Sequence, residues 1–169
     1  CNYIVVDVGG HDSALARRAI YLADTIVTPV NDSFIDLDML GRIDPRSGEL
    51  RTLGTFARLV EHLKEPGLQL RERALDWVVM QNRSRSLATK NERKVLDALN
   101  RISPVAGFRL VPGLRERVVY RELFPMGLTL FDLEQIPDLG RAQPAARDEI
   151  FAMLDALNLP SLSSQSPGL

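Results

Sequence analysis

Short runs rich in valine and isoleucine alternate with segments of helical periodicity along most of this chain. The runs are bounded by glycine, proline, asparagine or aspartate, which is typical of strands buried in a parallel sheet. The segments between them repeat apolar residues at intervals of three and four, which is typical of helices that cover a sheet. The pattern therefore predicts an α/β fold with a mostly parallel sheet. The predicted strands span residues 3–7, 25–30, 75–81 and 107–111.

Four helices are predicted from capping residues and apolar stripes. Ser13 is a suitable N-cap for the first, and Thr89 and Glu92 have the spacing of a capping box at the start of the third. The other two are predicted from apolar stripes over residues 53–65 and 144–157. These segments supply the helices that the alternation requires.

Two segments have neither periodicity. Residues 41–50 contain Pro45 and Gly48 and are predicted to form a surface loop. Residues 160–169 are rich in serine, proline and glycine, so we expect a disordered tail. Residues 1–159 are then predicted to belong to one domain, because a chain of 169 residues with 45% apolar content can bury a single core.

The charge of the chain is unevenly distributed. The formal net charge is −1, which by itself predicts no polyanionic partner, yet residues 71–121 hold twelve basic and five acidic side chains. The single cysteine, Cys1, fits a reducing cytoplasm, and no run approaches the ~20 apolar residues of a membrane span. We therefore expect a soluble cytoplasmic protein with one basic region.

A carboxylate and a glycine pair follow the first predicted strand. Asp7 ends that strand, and Gly9 and Gly10 come just after it. Because ligands of doubly wound sheets sit at the carboxyl ends of strands, Asp7 would face a site, where it can hold a Mg²⁺-bound water. The amides of Gly9 and Gly10 can approach a γ-phosphate without a Cβ in the way. The alternative is that Asp7 only caps a turn.

Two later strands deliver candidate groups to the same edge of the sheet. Asn82 follows the third, and its amide can both donate to and accept from an adenine ring. The fourth ends in Pro112-Gly113, whose backbone can line a base pocket. Each also has a purely structural interpretation, since asparagine and Pro-Gly commonly form turns.

Eight basic residues follow these two strands. If the loops that hold them are neighbours at one end of the sheet, their charges form one patch that binds DNA phosphates without reading sequence. The alternative is a solvated surface whose charges are partly paired with Glu92, Asp97 and Glu116. The eight residues are Arg83, Arg85, Lys90, Arg93, Lys94, Arg115, Arg117 and Arg121.

The order of these pieces, together with two specific strings, resembles a known family of ATPases. The strings are Val-Thr-Pro-Val-Asn-Asp-Ser-Phe at residues 27–34 and Tyr-Arg-Glu-Leu-Phe-Pro at residues 120–125. With Asp7, the stretch 9–15 and the strand 76–83, they resemble the MipZ cell-division regulators of the ParA/MinD class. The resemblance covers nearly the whole chain except the tail.

The resemblance implies a fold and a site. The fold would be a doubly wound, mostly parallel sheet of the P-loop NTPase type with helices on both faces. Asp7 would be the Walker B carboxylate, which binds the metal through a Mg²⁺-bound water, and Gly9 and Gly10 would form the switch II turn. Nucleotide contacts would come from Asn82, Arg83, Pro112, Gly113 and Leu114.

The resemblance also implies an activity and partners. The intact protein would hydrolyse ATP with Mg²⁺ and form an ATP-dependent homodimer that binds chromosomal DNA nonspecifically through the basic residues. It would take its position from a ParB-like partitioning protein and inhibit FtsZ assembly. The implied location is the cytoplasm, in association with the nucleoid and without membrane attachment.

Two departures separate this sequence from the family pattern. Asp7-Val8-Gly9-Gly10 stands where the family has Asp-Thr-Pro-Gly. No Gly-x-x-x-x-Gly-Lys-[Ser/Thr] string and no Lys-Gly-Gly variant occurs, so these residues hold no cradle for a triphosphate. We therefore expect a fragment that is incomplete at its N-terminus and inactive alone. We also expect it to be prone to aggregate, because in the family the P-loop strand lies beside the Walker B strand, and its loss exposes unpaired backbone and apolar faces.

Three alternatives remain open from the sequence. A ParA-type ATPase that partitions chromosomes or plasmids would share nearly every feature. Membrane attachment of the MinD type is disfavoured, because the final residues lack a basic amphipathic helix. The chain can also be a non-catalytic interaction module that lost its P-loop.

Overall fold

The computed structural model describes residues 3–70, 73–84, 90–132 and 144–159. Its main sheet has three parallel strands in the order β1-β4-β5, and a second sheet pairs β2 with β3 antiparallel. The strands are β1 (Thr25–Val30), β2 (Gly41–Ile43), β3 (Leu50–Leu53), β4 (Asp76–Ser84) and β5 (Arg109–Arg115). The helices are α1 (Ala14–Leu22), α2 (Phe34–Leu40), α3 (Thr55–Leu68), α4 (Lys90–Ala106), α5 (Val118–Leu123) and α6 (Pro144–Leu157), with a 3₁₀ turn at Phe124–Met126.

The central strand of the main sheet is β4. It pairs with β1 from Thr25 opposite Asp76 to Val30 opposite Gln81, and with β5 on its other side. Along the chain, helices lie between the successive strands of this sheet, as parallel pairing requires. The predicted α/β class with a parallel sheet is therefore confirmed.

One face of the sheet carries the main core. Trp77 is 3% exposed and lies between Phe56 and Phe108, with ring centroids 5.9 and 5.2 Å away in edge-on geometry. Its indole N–H donates to Thr28 Oγ1 at 3.0 Å, so the buried donor is satisfied. Apolar residues of α1, α2, α3 and α4 complete this core, which places those four helices on this face.

Helix α6 lies on the opposite face of the sheet, where it packs against β5. Leu110 packs against the main core, so its neighbour Arg109 points the other way. The Arg109 guanidinium donates to both carboxylate oxygens of Asp76, at 2.9 and 2.8 Å, and to the carbonyls of Ala156 and Leu157, at 2.6 and 2.8 Å. The last carbonyls of a helix have no partner within it, so Arg109 anchors the end of α6 to β4 and β5. Helices therefore lie on both faces of the sheet.

A second, smaller core lies beside the main sheet. It joins Val119 and Leu123 of α5 to Leu130 and to Ala146 of α6. Among the described residues, no helix is both long enough and apolar enough to span a membrane.

Several predicted elements have the expected bounds. The strand predicted at 25–30 is β1, and the helix predicted at 144–157 is α6. Ser13 caps α1, because its Oγ accepts a hydrogen bond from Ala16 N at 3.1 Å. Thr89 and the tail at 160–169 lie outside the described residues.

The strand predicted at residues 3–7 is wrong. This segment has no regular structure, and Ile4 and Val5 are 83% and 92% exposed. A strand is stabilised by a hydrogen-bonded neighbour and a buried face. Within the described ranges this segment pairs with no strand, and most of its apolar surface stays exposed.

The surface loop predicted at 41–50 is wrong at its two ends, which form β2 and the start of β3, whereas residues 44–49 do connect them as a turn. Asp44 Oδ1 accepts from the backbone N–H of Arg46 and Ser47, and Gly48 has a φ of 73°. These are the contacts of a tight turn between antiparallel strands. The strands are too short to show the period-two pattern that would have predicted them.

Candidate functional site

The carboxyl ends of β4 and β5 bring together the predicted nucleotide-binding residues. Asn82 of β4 lies opposite Leu114 of β5, and the pairing is irregular on both sides of Asn82. Gly113 lies so close to β4 that a Cβ added to it would be 1.6 Å from the carbonyl oxygen of Gln81. Only glycine fits this position, since any side chain would collide with backbone.

Pro112-Gly113 does not end its strand in a turn, as the sequence suggested. β5 continues through both residues to Arg115, and the register shifts between Met80 and Asn82. The pair therefore forms a bulge inside a strand. β5 continues past the Pro-Gly pair because its partner β4 is long and keeps pairing with it as far as Ser84 opposite Arg115.

Arg83 has an unusual backbone at the same edge. Its φ is 56°, and among the described residues only Asn158 is a second non-glycine residue with positive φ. This left-handed conformation costs an arginine about 1 kcal/mol and is common near functional sites. It lies directly after Asn82, where the β4–β5 register shifts again before Ser84.

Four arginines lie around this edge and are called the arginine cluster here: Arg83, Arg115, Arg117 and Arg121. The backbone N–H of Glu116 donates to the carbonyl of Ser84 at 2.9 Å, which ties the end of β5 to the end of β4. The carboxyl ends of the two strands are therefore neighbours, so Arg83 lies near the arginines that follow β5. Arg83, Arg115 and Arg121 have more than half of their side-chain surface exposed.

Two glutamates accompany the arginine cluster. Glu149 of α6 accepts from Arg117 Nε at 3.1 Å and from an Arg117 terminal nitrogen at 2.6 Å. These hydrogen bonds lower the pKa of Glu149 below its usual range. Glu116 lies 3.5 Å from Arg83 and 3.8 Å from Arg121, so the pairing that the alternative interpretation expected for Glu116 is present.

A tyrosine hydroxyl is buried beside this glutamate. Tyr120 Oη has no hydrogen-bond partner within the described ranges, and burial, with the nearby negative charge of Glu149, raises its pKa. Glu149 was not predicted as a site residue, because it lies 32 residues from Arg117 in the chain. Only the fold brings the two together.

The remaining predicted basic residues belong to the start of α4. Lys90, Arg93 and Lys94 are exposed, whereas Arg85 lies outside the described residues. A chain advances at most about 3.6 Å per residue, so Lys90 lies within roughly 22 Å of Ser84. Glu92, predicted as a surface partner, is instead 9% exposed.

The predicted catalytic group is not positioned by the sheet. Asp7, Gly9 and Gly10 are exposed and belong to no strand, and Asp7 makes no hydrogen bond or ion pair within the part of the chain described. In that same part, no three His, Cys, Asp or Glu side chains form a metal-binding group. The assignment of Asp7 to Mg²⁺ therefore stays a prediction.

Comparison with protein-family models finds one family over residues 1–161, described as ATPase MipZ. This range includes every predicted site residue and confirms the resemblance seen in the sequence. A search of curated proteins finds no match.

Proposed function

The chain belongs to the MipZ ATPase family, and on that premise we propose that it acts in an ATP-dependent switch that regulates where a cell divides. ATP and Mg²⁺ promote a homodimer, the dimer binds chromosomal DNA nonspecifically, and it inhibits FtsZ assembly at a position set by a ParB-like protein. The protein then works in the cytoplasm on the nucleoid. These steps rest on the family and on the edge formed by β4 and β5.

One observation carries the nucleotide part of the proposal. Asn82 lies opposite Leu114, and Gly113 lies directly against the backbone of Gln81. An amide at this position can donate to and accept from an adenine ring. The missing side chain of Gly113 lets β5 lie directly against β4, which brings Leu114 opposite Asn82. Ligands of open α/β sheets bind at this end of the strands.

The chain's residues fit part of an ATP–Mg²⁺ complex. Asn82 and the backbone at Gly113 would hold the base, Arg83 has its guanidinium at the same edge, and Asp7 would hold a metal-bound water. Bound ATP supplies the γ-phosphate that is transferred to water. No glycine- and lysine-containing cradle occurs in this sequence, so these residues bind and orient the base end of the nucleotide.

The arginine cluster supports the DNA part of the proposal. Its exposed guanidinium groups lie at the same edge as the nucleotide residues, so a nucleotide bound there can change the positions of these groups. Arginines placed in this way bind phosphates without reading bases. Exposed Lys90, Arg93 and Lys94 would extend the same surface along α4.

Calorimetric titration of the chain with ATP and Mg²⁺ tests the base site. We expect Asn82→Ala to weaken binding about tenfold, because the base loses its paired hydrogen bonds. Asn100→Ala is the matched control, since Asn100 is exposed on α4 away from this edge. Equal affinities for the two variants would rule out Asn82 as a nucleotide contact.

A further inference from the structure

The four residues of the arginine cluster are not equivalent, because the two glutamates hold them differently. Arg117 and Glu149 are joined through two hydrogen bonds, and their side chains are only 22% and 19% exposed. Arg115 contributes a longer contact of 3.5 Å to the same carboxylate and is 54% exposed. Without Arg117, the mostly buried Glu149 carboxylate would keep only the longer side-chain contact to Arg115, which is costly.

The contacts of Glu116 are longer and more exposed. Its side chain is 41% exposed, and its carboxylate lies 3.5 Å from Arg83 and 3.8 Å from Arg121, whose side chains are 64% and 65% exposed. Ion pairs of this kind contribute little to stability, because water competes for both partners. A phosphate oxygen can therefore replace Glu116 at small cost.

We propose that Glu116 is an intramolecular competitor for DNA phosphate at Arg83 and Arg121, while Glu149 fixes Arg117 as a positioning residue. The inference rests on the proposed DNA binding and deepens it. Arg83 and Arg121 contact the phosphates, and Arg117 fastens α6 to the end of β5. Each DNA phosphate that binds displaces Glu116, so the carboxylate lowers the affinity of the site for the polyanion.

Fluorescence anisotropy with a short labelled DNA duplex, measured over a range of salt concentrations, tests the division. We expect Arg83→Ala and Arg121→Ala each to weaken binding several-fold and to reduce the salt slope by about 0.9. Arg117→Ala should leave that slope unchanged. Glu116→Gln should strengthen binding about threefold or more at low salt.

The matched control is Glu122→Gln, which removes the same charge from an exposed neighbour that makes no ion pair within the described ranges. It should change affinity much less than Glu116→Gln does. Equal gains from the two variants, or an equal fall in slope for Arg117→Ala and Arg83→Ala, would overturn the inference while leaving DNA binding intact.

Urea unfolding tests the same division without DNA. Double-mutant cycles should give a coupling of more than about fivefold in the unfolding equilibrium for Arg117 with Glu149, and less than about twofold for Arg83 with Glu116. Equal couplings would overturn the division into fixed and available arginines. If the chain binds no duplex at all, the proposed DNA function fails, and these couplings still decide the roles of the two glutamates.

Discussion

The segment before α1 and the strand β4 have similar sequences and different structures. Both are apolar runs with several valines that end in a polar residue, Asp7 in one and Asn82 in the other. β4 has a parallel partner on each side and buried residues on both faces, whereas residues 3–8 are exposed and belong to no strand of the described structure. An apolar run becomes a strand only where neighbouring strands complete its hydrogen bonds and cover its faces.

The largest expected difference between the two regions concerns buried area. Replacing Trp77 with alanine should destabilise the chain by about 3–5 kcal/mol, because it empties the space between Phe56 and Phe108. Val5→Ala is the control, and it should shift the urea midpoint hardly at all, since Val5 is 92% exposed. Should Trp77→Ala not fold, Trp77→Phe keeps most of the volume and should still destabilise measurably. A comparable loss for Val5→Ala would show that the first segment packs against the sheet.

A smaller difference is expected between glycines in the two regions. Gly113→Ala should cost about 2–4 kcal/mol, because its new Cβ collides with the Gln81 carbonyl and must separate β4 from β5. Gly10→Ala should have little effect, since nothing lies within 4 Å of the position its Cβ would take. Thermal unfolding of both variants measures the difference. Equal stability of the two would mean that the bulge in β5 can relax without cost.

The smallest expected effect is a pH dependence of stability, and it concerns only Glu149 at the edge formed by β4 and β5. The pKa of Glu149 is lowered by its hydrogen bonds to Arg117, so the stability it provides is present above its ordinary value of 4.5 and is lost as the pH falls below that value. We expect this loss to be about 1 kcal/mol. Glu149→Gln should flatten this part of the stability curve, whereas Asp148→Asn on the neighbouring exposed residue should not. Urea unfolding at several acidic pH values distinguishes these results.

Elements whose sequence signal agrees with their surroundings were predictable. β1 and α6 have the predicted bounds. The β-branched run of β1 pairs with β4, and the apolar stripe of α6 packs against β5, so local pattern and tertiary contacts agree. Asn82 and Gly113 were expected at one edge and do lie together, since parallel strands align their carboxyl ends. Their chemical roles remain predictions.

The elements that were missed depend on contacts distant in the sequence. The hairpin strands β2 and β3 have three and four residues, too few for a period-two pattern. The helices α2 and α5 are also short, with seven and six residues. Glu149 lacks any local signal, because its importance comes only from the packing of α6 beside β5. Local patterns thus predicted the long elements, whereas tertiary contacts formed the site.

The two attachments of α6 have a mechanical consequence. Near its end the helix is held by Arg109, which also grips Asp76 at the start of β4, and in its middle Glu149 holds Arg117 beyond the far end of β5. About 12 Å of rigid helix separates Glu149 from Leu157. The helix is therefore a rigid link between the two ends of β5. A ligand that moves Arg117 outward must either shift α6 relative to Arg109 or break the contact of α6 with one of these two arginines. Movement at one end of the sheet is therefore coupled to the other end.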